Sequence, residues 1–275
     1  MMKDMLIERL QKLGWHHTAH QLDHLLEDAS RDNVSYSEFL NTIVLQEMEY
    51  QESQQLEKRM KRAKLPYIKT IHDFDFSFQP SISEKRVKET LTCRFIANGE
   101  NRILLGPPGV GKTHLAISFA IEAITQGYTA LFVTAGDLVA VCRKANEKGT
   151  LQRLVNRWSR PDVLIIDEVG YFPFDELTAN VFFQVISKRY EQGVMILTSN
   201  KTYLEWGKVF GDDVLATAIL DRLLHHAITF NIKGDSYRLR EKKKAGLYCP
   251  VIELIVQNGE FHFVEIGEFS IGVDK

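Results

Sequence analysis

The stretch Gly106-Pro107-Pro108-Gly109-Val110-Gly111-Lys112-Thr113 satisfies the pattern G-x-x-x-x-G-K-[ST] without a mismatch. An apolar run, Ile103-Leu104-Leu105, enters it and predicts a buried strand. His114-Leu115-Ala116-Ile117-Ser118-Phe119-Ala120 leaves it with good helix formers and no breaker, which predicts a helix. Between the two, glycines let successive backbone N–H groups point inward at an anion, and the helix adds its positive N-terminal end. Gly106, Pro107, Pro108, Gly109, Val110, Gly111, Lys112, Thr113 and His114 are therefore the candidate nucleotide-binding residues. Lys112 is placed to reach the β- and γ-phosphates, and the Thr113 hydroxyl to hold Mg²⁺. A Gly/Pro turn that binds nothing is the plainer alternative, but it leaves the Lys-Thr pair and the flanking strand and helix unexplained.

Working outward, Val163-Leu164-Ile165-Ile166-Asp167-Glu168 predicts a buried strand that delivers two carboxylates at its C-terminal end, the edge where ligands sit in open α/β sheets. Asp167 is the candidate for the Mg²⁺ shell, and Glu168 for orienting or deprotonating an attacking water. An acidic turn after an ordinary strand would account for the pair taken alone; the phosphate loop on the same chain gives it a chemical partner. Val194-Met195-Ile196-Leu197-Thr198-Ser199-Asn200 predicts another buried strand with a polar tip. Asn200 is a candidate for bonding the γ-phosphate or the water, and a turn-forming asparagine fits it as well. Strands are also expected over 128–134 and 227–232, and helices over 82–98, 137–146, 149–158, 175–190 and 213–224. This alternation predicts an α/β fold, a phosphate-loop NTPase with a parallel sheet covered by helices.

The remaining chemistry is constrained by composition. A chain of 275 residues with 44% hydrophobic content can bury a sizeable core. No apolar run approaches the roughly 20 residues that cross a bilayer, and the N-terminus is charged rather than signal-like, so a cytoplasmic protein without a membrane partner is expected. Cys93, Cys142 and Cys249 lie far apart with no C-x-x-C spacing, which supports neither a disulfide framework nor a zinc site. The net charge of −2 predicts no global affinity for nucleic acid, so charge is read by segment.

Residues 1–64 read as a separate helical domain. Apolar residues recur near helical spacing up to Gly14 and again over 19–26, and Ser35-Tyr36-Ser37-Glu38 has the form of a capping box that opens a third helix. That helix ends in Lys58-Arg59-Met60-Lys61-Arg62-Ala63-Lys64. Its cations, Lys58, Arg59, Lys61, Arg62 and Lys64, are candidate DNA contacts, and a solvated helix end favoured by the dipole explains them equally well. His16, His17, His20 and His24 share helix faces pairwise, yet no further ligand motif completes a metal site, so ordinary surface histidines are expected. Residues 65–81 read as an extended connector whose Phe74, Phe76 and Phe78 alternate onto one face, to pack it down or to stand beside a base. A second run of cations, Arg143, Lys144, Lys148, Arg153, Arg157 and Arg160, faces nucleic acid or simply solvent.

Taken together, these motifs resemble the AAA+ superfamily and, within it, the IstB-type ATPases that help insertion-sequence transposases. The residues that carry the resemblance are Phe74-Asp75-Phe76-Ser77-Phe78-Gln79-Pro80, the phosphate loop, Asp167-Glu168-Val169-Gly170-Tyr171, Leu197-Thr198-Ser199-Asn200-Lys201, Ile219-Leu220-Asp221-Arg222-Leu223-Leu224-His225-His226, and Gly234-Asp235-Ser236-Tyr237-Arg238. The resemblance implies an ATP- and Mg²⁺-dependent helper in the bacterial cytoplasm that assembles as a homo-oligomer on double-stranded target DNA and works with a transposase. It also implies roles: Asn200 as the sensor, Arg222 as an arginine finger reaching a neighbouring subunit's nucleotide, and Arg238 as a second arginine near the phosphates. Slow hydrolysis stimulated by assembly or a partner would follow.

The ATPase domain on this reading spans 82–247. Residues 248–275 depart from the family pattern, and Ile252-Glu253-Leu254-Ile255-Val256 and Glu260-Phe261-His262-Phe263-Val264 around Asn258-Gly259 predict a β-hairpin. The nearest alternative function is a replicative helicase loader of the DnaC type, whose N-terminal arm grips a helicase rather than DNA. A nucleotide-binding scaffold that never turns over is the alternative from another class.

Overall fold

The computed structural model describes residues 2–244, 249–257 and 260–269. The chain divides into two compact units, Met1–Arg62 and Ala63–Lys275. No helix among the described residues is long and apolar enough to cross a membrane.

The first unit is helical: α1 (Met2–Lys12), α2 (His16–Arg31) and most of α3 (Tyr36–Ala63). Gly14, at φ +79°, takes the left-handed turn that ends α1. Ser35 and Glu38 form the expected capping box: the Glu38 carboxylate accepts from the Ser35 N–H and hydroxyl, and the Glu38 N–H donates back to Ser35 Oγ. The helices are joined by a polar clamp as well as by apolar contacts. Glu47 of α3 is 2% exposed and accepts from both the backbone N–H and the hydroxyl of Thr18 on α2. His17 stacks on Tyr50, so one of the four α2 histidines has a packing role.

The second unit is built on a five-stranded parallel sheet. After a 3₁₀ turn at Ile71–Asp73 come α4 (Glu84–Leu91), α5 (Arg94–Ala97), β1 (Asn101–Leu105), α6 (Lys112–Thr125), β2 (Ala130–Thr134), α7 (Ala135–Glu147), α8 (Leu151–Ser159), β3 (Val163–Val169), α9 (Glu176–Arg189) and β4 (Val194–Ser199). Then follow α10 (Trp206–Phe210), α11 (Asp213–His225), β5 (Ala227–Asn231), α12 (Tyr237–Lys244), and the antiparallel pair β6 (Cys249–Gln257) and β7 (Glu260–Phe269). The strand order is β2-β3-β4-β1-β5, with every neighbouring pair parallel. The central strands carry the most apolar runs because both their faces are covered: all of β4 and Val163–Asp167 of β3 are buried, whereas the edge strand β5 is only partly covered.

Three expectations change. The helix read over 82–98 is two pieces: Ser83 caps α4 by accepting from the Arg86 N–H, and Cys93, left-handed at φ 57°, breaks the run before α5. The connector is not extended throughout, because Asp73 closes the 3₁₀ turn by accepting from the Thr70 N–H and hydroxyl. A short helix, α10, sits where no element was expected; its Trp206, Val209 and Phe210 are buried in the core against Phe174 and Phe182. The paired β6 and β7 agree with the hairpin expectation, and its turn residues Asn258-Gly259 lie outside the described residues.

Candidate active site

β1, β4 and β3 are adjacent in the sheet, so the loop after β1 and the acids at the end of β3 arrive at one edge with the end of β4 between them. There, a cavity of about 270 Å³ is lined by Gly109, Val110, Gly111, Lys112, Thr113 and His114, by Glu168, Tyr171 and Thr198, by Tyr237 and Arg238, and by connector residues from Tyr67 to Gln79. Lys112 folds back over the loop and donates to the carbonyls of Gly106 and Pro107, both at 2.7 Å. Burial lowers its pKa to about 8, against the opposing pull of Asp167. Val110 is fully buried and anchors the loop, while Pro107 and Pro108 are exposed.

Asp167 is the hub. The Thr113 hydroxyl lies 3.0 and 3.1 Å from its two carboxylate oxygens, and the Thr198 hydroxyl donates to Oδ1 at 2.5 Å. The carboxylate is buried, and burial raises its pKa although Thr198, Thr113, Lys112 and Arg238 all oppose the rise. It makes no ion pair among the described residues. A buried carboxylate so placed, converging with a hydroxyl, is an all-oxygen donor set that fits a hard divalent cation such as Mg²⁺.

Glu168 is aimed by the backbone. The β3–β4 register shifts between Ile166 and Val169, so three steps on β3 oppose two on β4, and Glu168 takes φ +64° within this bulge. The distortion turns its side chain out of the sheet, where it is exposed and lines the cavity. Its N–H is not lost, because it donates to Thr198 Oγ1 at 2.9 Å. Thr198 thus serves both acids at once. The strand reading of 194–200 does not single it out; the signal for it is a pair of hydroxyls, Thr198 and Ser199, closing an apolar buried run.

The connector forms the opposite wall. Phe74 is buried against the loop at Gly111 and meets His114 edge-on, with ring centroids 5.3 Å apart. The Nε2–H of His114 donates to the Thr70 carbonyl at 2.8 Å, and burial lowers the pKa of the ring. Phe78 packs edge-on against Tyr237. Arg238 follows directly, on a segment locked to the loop: the Tyr237 N–H donates to Gly109 O at 3.0 Å, and a Cβ on Gly109, at φ +80°, would meet Ser236 Oγ at 2.0 Å. Glycine at position 109 is therefore required by both conformation and space.

The other candidates lie elsewhere. Asn200 follows β4 and is not among the cavity-lining residues; its Oδ1 is buried without a hydrogen-bond partner among the described residues. Arg222 on α11 stacks over Phe183 at 4.8 Å, donates to the Ala218 carbonyl and is not among the cavity-lining residues. Lys58, Lys61, Arg62 and Lys64 are exposed and Arg59 is half-buried; Lys61 pairs with Glu57 at 2.6 Å, and Lys64, at φ +54°, lies just beyond the end of α3. In the second basic run Arg143 pairs with Asp175 at 3.0 Å, while Lys144, Lys148, Arg153 and Arg157 line a shallow groove between α7 and α8.

This strand order, with a phosphate loop after β1 and an acid at the end of β3, defines a P-loop NTPase of the AAA+ class. Solved structures agree on the fold. AMPPCP-bound DnaA from Aquifex aeolicus matches 66% of this chain and 55% of its own at a TM-score of 0.54 and 24% identity, and DnaI matches 60% of this chain and 90% of its own at 0.51 and 22%. The chain belongs to the family of IstB-like ATP binding proteins, whose sequence pattern matches residues 8–245. Among its relatives are the insertion sequence IS5376 putative ATP-binding protein of Geobacillus stearothermophilus, 50% identical over 88% of this chain and 96% of that one, and the insertion sequence IS21 putative ATP-binding protein of Pseudomonas aeruginosa, 47% identical over 86% and 90%.

Proposed function

We propose that this protein is an ATP-dependent helper of transposition that binds and hydrolyses ATP with Mg²⁺, assembles as a homo-oligomer on double-stranded target DNA and assists the transposase of the same element. The observation that carries the reading is the Thr113–Asp167–Thr198–Glu168 cluster beside the phosphate loop, in a chain 50% identical to an insertion-sequence ATP-binding protein. On ATP binding, Lys112 exchanges the carbonyls of Gly106 and Pro107 for phosphate oxygens. Thr113 and Asp167 would hold Mg²⁺, which supplies neutralisation of the developing phosphate charge. Glu168, free in the cavity, orients or deprotonates the attacking water; Arg238 reaches the phosphates from the Gly109-locked segment, and Asn200 contributes as the sensor. Arg222, which does not line the cavity of its own chain, serves the neighbouring subunit's site, so that hydrolysis depends on assembly and is slow without it.

Both sequence relatives carry insertion-sequence names, and the likeness to DnaI, at 22% identity, is one of fold alone; the transposition reading is therefore preferred to a helicase loader. Duplex DNA binding measured with and without ATP tests it. Wild-type protein is expected to assemble on DNA only with ATP, and Lys112→Ala and Arg222→Ala are each expected to abolish or strongly weaken that assembly. Assembly indifferent to ATP and to both substitutions overturns the reading, and nucleotide binding without phosphate release on DNA identifies a scaffold instead.

A further inference from the structure

At the C-terminal end of α11, Glu191, His225 and His226 come together. One ligand atom from each lies within 4.8 Å of the others, and all three side chains are exposed. Among the described residues no other group of His, Cys, Asp and Glu meets that condition. Neither Glu191 nor His226 makes a side-chain hydrogen bond or ion pair with another described residue, so the carboxylate and imidazole donors are not already spent. Tyr190 Oη lies 2.8 Å from Nδ1 of His225. In the tautomer whose Nδ1–H donates to Tyr190 Oη, this contact takes one nitrogen, fixes the ring and leaves the Nε2 lone pair to ligate, an arrangement in which the outer hydrogen bond sets tautomer and basicity.

Both halves of the cluster are held by buried polar clamps. Glu191 sits at φ +60° in the turn between α9 and β4. The turn is fixed by Arg189, 2% exposed, whose guanidinium donates to the carbonyls of Trp158, Pro161, Asp162 and Val194. Gly193 leaves room for that guanidinium, since a Cβ there would lie 2.9 Å from its Nη2. On the other side, the Asn101 amide donates to the Leu223 carbonyl and accepts from the Met195 N–H, and its backbone N–H donates to the His226 carbonyl. One side chain thus ties the end of α11 to the start of β4, the strand that the Glu191 turn enters. The nearby Arg222 is drawn onto Phe183.

We infer that Glu191, His225 and His226 form a binding site for a transition-metal ion of the zinc class, which staples the α9–β4 turn to the C-terminal end of α11. Two imidazoles and a carboxylate suit Zn²⁺ rather than the hard ions Mg²⁺ and Ca²⁺, and three protein ligands leave a fourth position to water. Bonds of about 2.1 Å bring tetrahedral ligand atoms to roughly 3.4 Å apart, a closure that rotamer changes of the exposed Glu191 and His226 can supply.

The test uses the full chain carrying His16→Asn, His20→Asn and His24→Asn, which silences the helix-surface pairs of α2. After removal of metals with a chelator, this background is titrated with ZnCl₂ by calorimetry in millimolar Mg²⁺, and its thermal unfolding is followed with and without Zn²⁺. We expect one Zn²⁺ per chain and a zinc-dependent rise in Tm. His225→Gln, His226→Gln and Glu191→Gln should each weaken binding at least tenfold and remove the rise, and Tyr190→Phe should weaken it about tenfold without abolishing it. Unchanged unfolding of these variants without zinc separates loss of the site from loss of the fold. Absence of stoichiometric binding in the background chain, or binding that survives all three ligand substitutions undiminished, overturns the site.

Discussion

Lys112 already sits in its pocket before any phosphate arrives, and burial holds it at a pKa of about 8. Phosphate oxygens favour the charged ammonium, so nucleotide binding raises that value and takes up a proton near pH 8. Affinity is expected to fall as pH rises through about 8, and calorimetry in buffers of different ionisation enthalpy should register the uptake, absent in Lys112→Ala. In the unliganded chain the sign is opposite: the folded value lies below the unfolded one, the unfolded chain binds more protons from about pH 8 upward, and this group's contribution to stability rises with pH there. Thr198 gives the second residue-scale prediction. Thr198→Val removes one of the two hydroxyls that serve buried Asp167 and strands the Glu168 N–H, at a cost of about 1–3 kcal/mol for that unpaired group. Melting should show the loss, and phosphate release should fall more than ATP affinity, because the bulge that aims Glu168 rests on this hydroxyl.

At the scale of elements, the end of β3 is a strand that fails in a useful way: an ideal ladder would leave Glu168 in the sheet, and the bulge turns it into the cavity. A comparable polar device joins α2 to α3. Burial disfavours the Glu47 carboxylate, yet the bonds from Thr18 and Gln51 outweigh it and hold its pKa below the ordinary glutamate value. A lowered folded value means stability that is present at neutral pH and lost as pH falls through the folded pKa. Hydrogen exchange should show α2 and α3 opening together on acidification, and Glu47→Ala should produce that opening at neutral pH, with a cost of about 1–3 kcal/mol for the Thr18 groups it strands.

For the whole molecule, the separation of Arg222 from its own cavity makes a prediction that no single chain can satisfy. On the proposed reading, Lys112→Ala lacks a working nucleotide site but keeps its finger, and Arg222→Ala has the reverse defect. Mixing the two should restore DNA-stimulated ATP hydrolysis to a measurable fraction of wild type, while each alone stays near background; phosphate release from the mixture checks it. Equal inactivity of the mixture would argue that Arg222 acts only within its own chain, through Phe183 and Ala218.

What the sequence by itself determined was the local chemistry and its order along the chain. A glycine-rich loop between an apolar strand and a helix, two acids after a four-residue apolar run, and a Ser-Glu capping box each depend on near neighbours, which is why the loop of Gly106 to Thr113 joins β1 to α6, Asp167 ends the buried run of β3 and Ser35 caps α3. The extra helix α10, the break at Cys93, the bulge at Glu168 and the double service of Thr198 depend on residues far along the chain, where no periodicity records them. The tertiary structure alone brought β4 between β1 and β3, so that one hydroxyl meets two acids, and brought Glu191 within reach of His225 and His226, some 34 residues on, through the clamps of Arg189 and Asn101. The physical reason is the same throughout: a motif is written by spacing along the chain, whereas a site is completed by pairing strands that the chain visits out of order.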